Sequence, residues 1–182
     1  MSLTQLNTEQ LIAKCREQDQ NAQLETYNRY YKAMYNTAYR ILKNTAEAED
    51  IMQESFLTAF TKLSMLENNA LFGAWLKRIV INMCLTASRK KNTHNEVAFE
   101  TVEYTLIDND GIPEENLTSI KTDTILNTLM QLKDSYSTAL SLHLIEGYDY
   151  EEICIIMNIS YSNCRTLISR AKESLRKKLQ FI

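Results

Sequence analysis

Six polar side chains near the C-terminus, Ser162, Arg165, Thr166, Ser169, Arg170 and Arg176, fall on one face of the chain if the segment is helical, at 100° per residue. Guanidinium forks match guanine edges and phosphate oxygens, and hydroxyl and methyl groups match phosphates and thymine methyls, so this face has the chemistry of a DNA reader. Lys172, Lys177 and Lys178 flank it. From Ser160 onward there are six Lys or Arg against the single acid Glu173, a basic element in a chain of net charge −3.

The opposite stripe, Cys164, Leu167, Ile168, Ala171, Leu175 and Leu179, has helical spacing and predicts a buried face. Just upstream, Asp149 with Glu152 three residues on forms a capping box for a helix to about Met157, with Ile153, Ile156 and Met157 turned inward. Asn158, Ile159 and Ser160 supply the turn: Asn tolerates the left-handed conformation, and Ser160 can cap the next helix. Tyr148 to Lys178 is therefore expected to be a helix-turn-helix.

With three Gly and one Pro in 182 residues, 45% apolar content and little strand-like alternation, the expected fold is all-α, with enough apolar surface for one or two small cores. Charge marks the domain boundary. From Asn68 to Asn95 there are five bases (Lys77, Arg78, Arg89, Lys90, Lys91) and no acid; from Glu96 to Asn116 there are seven acids and no base. The acidic block holds the single Pro, Pro113, beside turn-forming residues, and is expected to be a linker between helical domains at 1–95 and 117–182.

In the first domain the pattern predicts helices from Thr8 as cap to Gln18, Asn21 to Leu42, Ala46 to Leu66 with Thr45 as cap, and Ala70 to Lys90. In the second, helices over Leu117–Leu132 and Ser135–Glu146 precede the helix-turn-helix. The helix from Ala46 has two unlike sides. Ala48, Met52, Phe56, Ala59, Phe60 and Leu63 point inward, while Asp50, Gln53 and Glu54 share an acidic outward patch that repels DNA and suits a solvated surface or a protein partner. The next helix carries Lys77, Arg78, Asn82, Arg89 and Lys90 around an apolar stripe, a set suited to phosphate contact and to holding an unstacked base. Trp75, among Phe72, Leu76 and Ile79, reads as a core anchor ahead of a stacking platform.

Cys15, Cys84, Cys154 and Cys164 lack paired short spacing and read as buried reduced thiols. His94 and His143 have no ligands at metal spacing, so no metal site is expected. The longest apolar run, Ile153 to Met157, is too short to span a bilayer, and the N-terminus lacks signal-peptide order; a cytosolic protein is expected. There is no nucleophile with a paired base and no phosphate-cradling Gly loop, so neither an enzyme nor a cofactor is expected.

Together these pieces resemble an RNA polymerase sigma factor of the extracytoplasmic-function (ECF) group within the sigma-70 family, over nearly the whole chain. AEAEDIMQESFLTAFTKL (Ala46 to Leu63) resembles the family's core-binding helix, and FGAWLKRIVINMCLTASRKKN (Phe72 to Asn92) its minus-ten element helix. EGYDYEEICIIMNISYSNCRTLISRAKESLRKKL (Glu146 to Leu179) is similar to the domain that reads the minus-thirty-five element. The resemblance implies that Asp50, Gln53 and Glu54 dock on the clamp helices of core RNA polymerase. It further implies that Asn82 lies near the pocket for a flipped base, that the loop Glu67 to Phe72 carries base specificity, and that Arg165, Thr166, Ser169 and Arg170 face the upstream promoter element. A membrane-anchored anti-sigma factor is a further partner the family implies, and a monomer is expected for the free protein. The chain departs from the family pattern at Leu132-Lys133, where Leu-Pro is usual, at Met157-Asn158 in place of Leu-Gly, and at Thr86, where an acid is common. Cys164 and Leu167 also differ from the usual residues, so the family's upstream sequence preference does not transfer. The competing reading is a stand-alone helix-turn-helix regulator, dimerising through its N-terminal helices on a palindromic site. A third is a helical interaction protein that binds no nucleic acid.

Overall fold

The computed structural model describes residues 3–94 and 116–180. The described residues form eight α-helices and no strand: α1 (Thr8–Arg16), α2 (Gln20–Leu42), α3 (Thr45–Thr61), α4 (Phe72–His94), α5 (Asn116–Met130), α6 (Asp134–Leu140), α7 (Tyr150–Met157) and α8 (Tyr161–Leu179). The expected acidic linker, apart from Asn116 at the start of α5, lies outside the described residues. Two compact units emerge, Met1–Ser88 with Ile155–Asn158, and Arg89–Cys154 with Ile159–Ile182.

In the first unit α2 packs on α1 and α3. Leu11 and Ile12 of α1, Met34 and Ala38 of α2, Met52, Phe56 and Ala59 of α3, and Phe72, Leu76, Val80 and Cys84 of α4 are buried. Each large aliphatic or aromatic side chain so removed from water contributes about 1.5–3 kcal/mol before the entropy of ordering it is counted. The starts of α1 and α3 differ from expectation by one residue. Asn7, not Thr8, caps α1: its Oδ1 accepts from the Gln10 amide at 2.9 Å, while Gln10 Oε1 accepts from the Asn7 amide at 3.2 Å. The Thr8 hydroxyl instead lies 3.3 Å from the Tyr30 hydroxyl. Asn44, not Thr45, caps α3 by accepting from the Glu47 amide at 3.0 Å. In both places an Asn stands one position earlier than the Thr and takes the cap.

α3 ends at Thr61 and not at Leu66. A 3₁₀ turn over Leu63–Met65 follows, and its tighter winding brings both Leu63 and Leu66 inward. A second 3₁₀ turn, Asn69–Leu71, leads into α4. Gly73 is needed at that entry, because a Cβ there would sit 2.9 Å from the Tyr30 ring. The segment Asn69–Lys91 is long and apolar enough to cross a membrane by length and composition; Phe72, Leu76, Val80, Ile81 and Cys84 within it are fully buried.

In the second unit α5 packs on α6 and α8, and α6 on α8. Leu129, Leu132, Ala139, Leu140, Leu142, Ile153, Cys164, Ile168 and Ala171 are buried. The expected continuous helix to Glu146 is interrupted: after Leu140 the chain widens into a π-helical turn over Ser141–Ile145. Its exit is closed by Glu146 N–H donating to Ser141 O and Tyr148 N–H to Leu142 O, both at 3.0 Å, with Gly147 at φ +80°. Only Gly adopts that φ without strain, so the turn ends there.

Candidate nucleic-acid interface

The helix-turn-helix forms as its local signals require. Asp149 Oδ1 accepts from the Glu152 amide at 2.8 Å and Glu152 Oε2 accepts from the Asp149 amide at 3.0 Å, a reciprocal capping box at the start of α7. Asn158 takes the left-handed conformation at φ +54°, and Ile159 N–H donates to Cys154 O at 3.1 Å, which closes α7. Ser160 caps α8 by accepting from the Asn163 amide at 3.3 Å. His143, which could have suggested a ligand, has a structural place: its Nδ1 lies 3.1 Å from Tyr148 O and its ring meets Tyr150 edge-on at 5.0 Å.

On α8, Cys164, Ile168, Ala171 and Leu175 are buried, while Leu167 and Leu179 of the expected stripe are half-buried at its margins. Ser162, Arg165, Thr166, Ser169, Arg170 and Arg176 are all exposed on the other side. Two of these hydroxyls are already engaged. Thr166 Oγ1 donates to Ser162 O at 2.9 Å, which leaves its methyl as the group available to a partner, and Ser162 Oγ lies 3.2 Å from Ser160 Oγ. Lys177 pairs with Glu173 at 2.8 Å, which raises the lysine's pKa and lowers the carboxyl's. The arginines thus define the face more than the lysines do.

On α3 the faces separate cleanly. Ala48, Ile51, Met52, Ser55, Phe56 and Ala59 are buried, Ser55 donating to Ile51 O at 2.6 Å; Phe60, expected inside, is half-buried. Asp50, Gln53 and Glu54 are exposed. Leu57, which the pattern did not single out, is 69% exposed and falls within their arc, so the outward face is acidic with an apolar centre.

On α4, Arg78, Asn82 and Arg89 fall within about 40° of one another, with Lys77 and Lys90 about 100° to either side. Asn82, Arg89 and Lys90 are exposed, whereas Lys77 and Arg78 are half-buried. Trp75 is half-buried, 6.1 Å from the fully buried Phe72 ring, so it lies at the core's edge and not at its centre. The loop before α4 adjoins an open pocket of about 720 Å³ lined by Glu9, Arg16, Leu66, Glu67, Asn68 and Asn69. Neither Glu9 nor Arg16 was evident from sequence, since they meet the loop only through contacts 50 to 60 residues apart along the chain.

Comparison with known proteins follows the same division. The family models described as Sigma-70 region 2 and Sigma-70, region 4 match residues 26–93 and 122–175. The ECF RNA polymerase sigma factor SigW of Bacillus subtilis is 33% identical over 177 residues, covering 93% of this chain and 95% of that protein. The RNA polymerase sigma-H factor of Pseudomonas aeruginosa is 29% identical, covering 98% and 96%. Among solved structures, the sigma factor RpoE in complex with the anti-sigma factor NepR from Bartonella quintana superposes with a TM-score of 0.61 at 21% identity, covering 86% of this chain and 95% of that one. CnrH in complex with the cytosolic domain of CnrY gives 0.57 at 19%, covering 95% and 97%. At these identities the two structures establish the fold.

Proposed function

The chain belongs to the ECF sigma factors of the sigma-70 family, and on that premise we propose that three separate exposed faces divide the work of promoter recognition. It is an RNA polymerase sigma factor that directs transcription initiation. The observation that carries the division is the segregation of charge by helix: an acidic face on α3 and an arginine face on α8, each exposed opposite a buried stripe, and a basic set on α4 in which Asn82, Arg89 and Lys90 are exposed and Lys77 and Arg78 half-buried.

In this reading Asp50, Gln53 and Glu54 dock on core polymerase, since an acidic surface repels DNA but complements a basic protein groove. Lys77, Arg78, Asn82, Arg89 and Lys90 hold the downstream element, phosphates through the bases and an unstacked base near Asn82, with the loop Glu67 to Phe72 contributing base specificity. Ser162, Arg165, Thr166, Ser169, Arg170 and Arg176 approach the upstream element in the major groove. The working domains are residues 1–95 and 117–182, joined by the acidic stretch 96–116. The protein acts inside the cell, as a specificity subunit without bond chemistry of its own. Its regulation by an anti-sigma factor is supported by the bound state of the Bartonella quintana relative.

The test is promoter-directed transcription by core polymerase from the source bacterium, with wild-type protein and with Asp50, Gln53 and Glu54 replaced by Ala. Discrete start sites that disappear with the triple change, while DNA binding by the isolated protein is unaffected, are expected. Start sites that persist at wild-type level would remove the α3 face from core binding. Sequence-specific binding with no transcription in any mixture would favour a stand-alone regulator.

A further inference from the structure

The loop between the 3₁₀ turn at Leu63–Met65 and α4 is held from outside by the C-terminal end of α1. Arg16, the last residue of α1, uses two edges of its guanidinium: Nη2 donates to Leu66 O, and Nε donates to Asn69 Oδ1 at 3.1 Å. The Asn69 amide is oriented by this contact, and its Nδ2 reaches Glu9 O at 3.4 Å. Asn68 accepts from the Ala70 amide at 2.9 Å through its own side chain, and Leu71 N–H closes the turn on Asn68 O at 3.0 Å. Leu66 and Asn69 are therefore held by a residue 50 or more positions away, and Asn68, Ala70 and Leu71 by local turn chemistry. The fixed backbone walls the open pocket of about 720 Å³, which has room for an unstacked nucleobase and presents amide and carboxylate groups that can pair with a base edge.

We propose that Arg16 is a positioning residue for downstream-element recognition: its forked contact with Leu66 O and Asn69 Oδ1 holds the loop in the conformation that receives the base, so that it acts through the loop. The proposal rests on the reading of the loop Glu67 to Phe72 as the base-specific element. A planar fork is required, because the two acceptors lie on different residues and a lysine ammonium on a flexible stem cannot hold both in one geometry. Ordering the loop before DNA arrives removes that ordering cost from binding, and it does so most for the base that fits.

The experiment measures initiation by the full-length protein with core polymerase on templates randomised through the downstream element. It compares wild type, Arg16→Ala, Arg16→Lys and Asn69→Ala, with Glu67→Ala and Asn68→Ala as loop controls. Core affinity and melting temperature are measured in parallel. Discrimination between preferred and non-preferred bases should fall roughly fivefold to tenfold in Arg16→Ala, with Arg16→Lys failing to restore it. Core affinity should stay within about twofold, and the Arg16→Ala/Asn69→Ala double change should be no worse than either alone. An unchanged base profile in Arg16→Ala and Asn69→Ala, beside flattened profiles in the loop controls, would overturn the role of Arg16 while leaving the loop as the reading element. Unchanged profiles in the loop controls too would overturn both. An equal loss on every sequence would reduce Arg16 to general stability.

Discussion

Cys154 and Cys164 come from the two helices of the helix-turn-helix, and burial followed by the neighbouring Cys154 thiol pushes Cys164 up to about 11. Burial alone carries Cys84, inside α4, up to about 12. Cys15 is raised chiefly by burial, partly offset by its contact with the Thr26 hydroxyl at 3.3 Å. The thiolate is the reactive form, so a raised pKa together with burial makes a thiol inert near neutral pH. Cys154 alone among the four is not fully buried. Titration of the native protein with a thiol-specific disulfide reagent at pH 8 should therefore modify Cys154 first and leave Cys84 and Cys164 until unfolding releases all four. Four thiols reacting at one rate in the native state would contradict this. The arginines exposed on α8 call for a different measurement: if Arg165, Arg170 and Arg176 meet DNA phosphates, binding by that face should weaken steeply as salt rises.

At the scale of elements, boundaries were decided by the residue best able to satisfy free helix-end amides. Asn7 and Asn44 displaced the neighbouring threonines for that reason, whereas Asp149 and Ser160 sit where the sequence pattern places them. Asp149→Ala should cost about 0.5–2 kcal/mol, read as a lowered midpoint in denaturant unfolding, with Asp149→Asn recovering most of it. No change in the midpoint would mean that α7 is held by packing alone. Gly73 is a sharper case, because a Cβ there would press to 2.9 Å on the Tyr30 ring, which also packs edge-on against Phe72 at 5.5 Å. Gly73→Ala should destabilise by about 1–3 kcal/mol through displacement of that ring, and Tyr30→Leu in the same chain should relieve part of the loss. The π-helical turn at Ser141–Ile145 was not legible, since its residues have ordinary helical patterning.

For the whole molecule, a net charge of −3 conceals an acidic α3 face, a basic α4 and a basic α8. If the domains at 1–95 and 117–182 carry separate tasks, the first expressed alone should bind core polymerase and the second alone should bind upstream-element DNA weakly, with a steep loss of affinity as salt rises. Loss of core binding by fragment 1–95 would show that the second half contributes to docking. Much of this plan was legible in the amino-acid order alone. Helical periodicity identified the buried stripes of α3 and α8 and hence their exposed faces, and the Asp149, Asn158 and Ser160 signals located the helix-turn-helix, because all of these depend on neighbours within about four residues. Tertiary structure alone decided that Trp75 sits at the core's edge and that Arg16 holds the loop at Leu66 and Asn69. The last of these joins groups about 50 residues apart, and no local period records which distant carbonyl a guanidinium will reach.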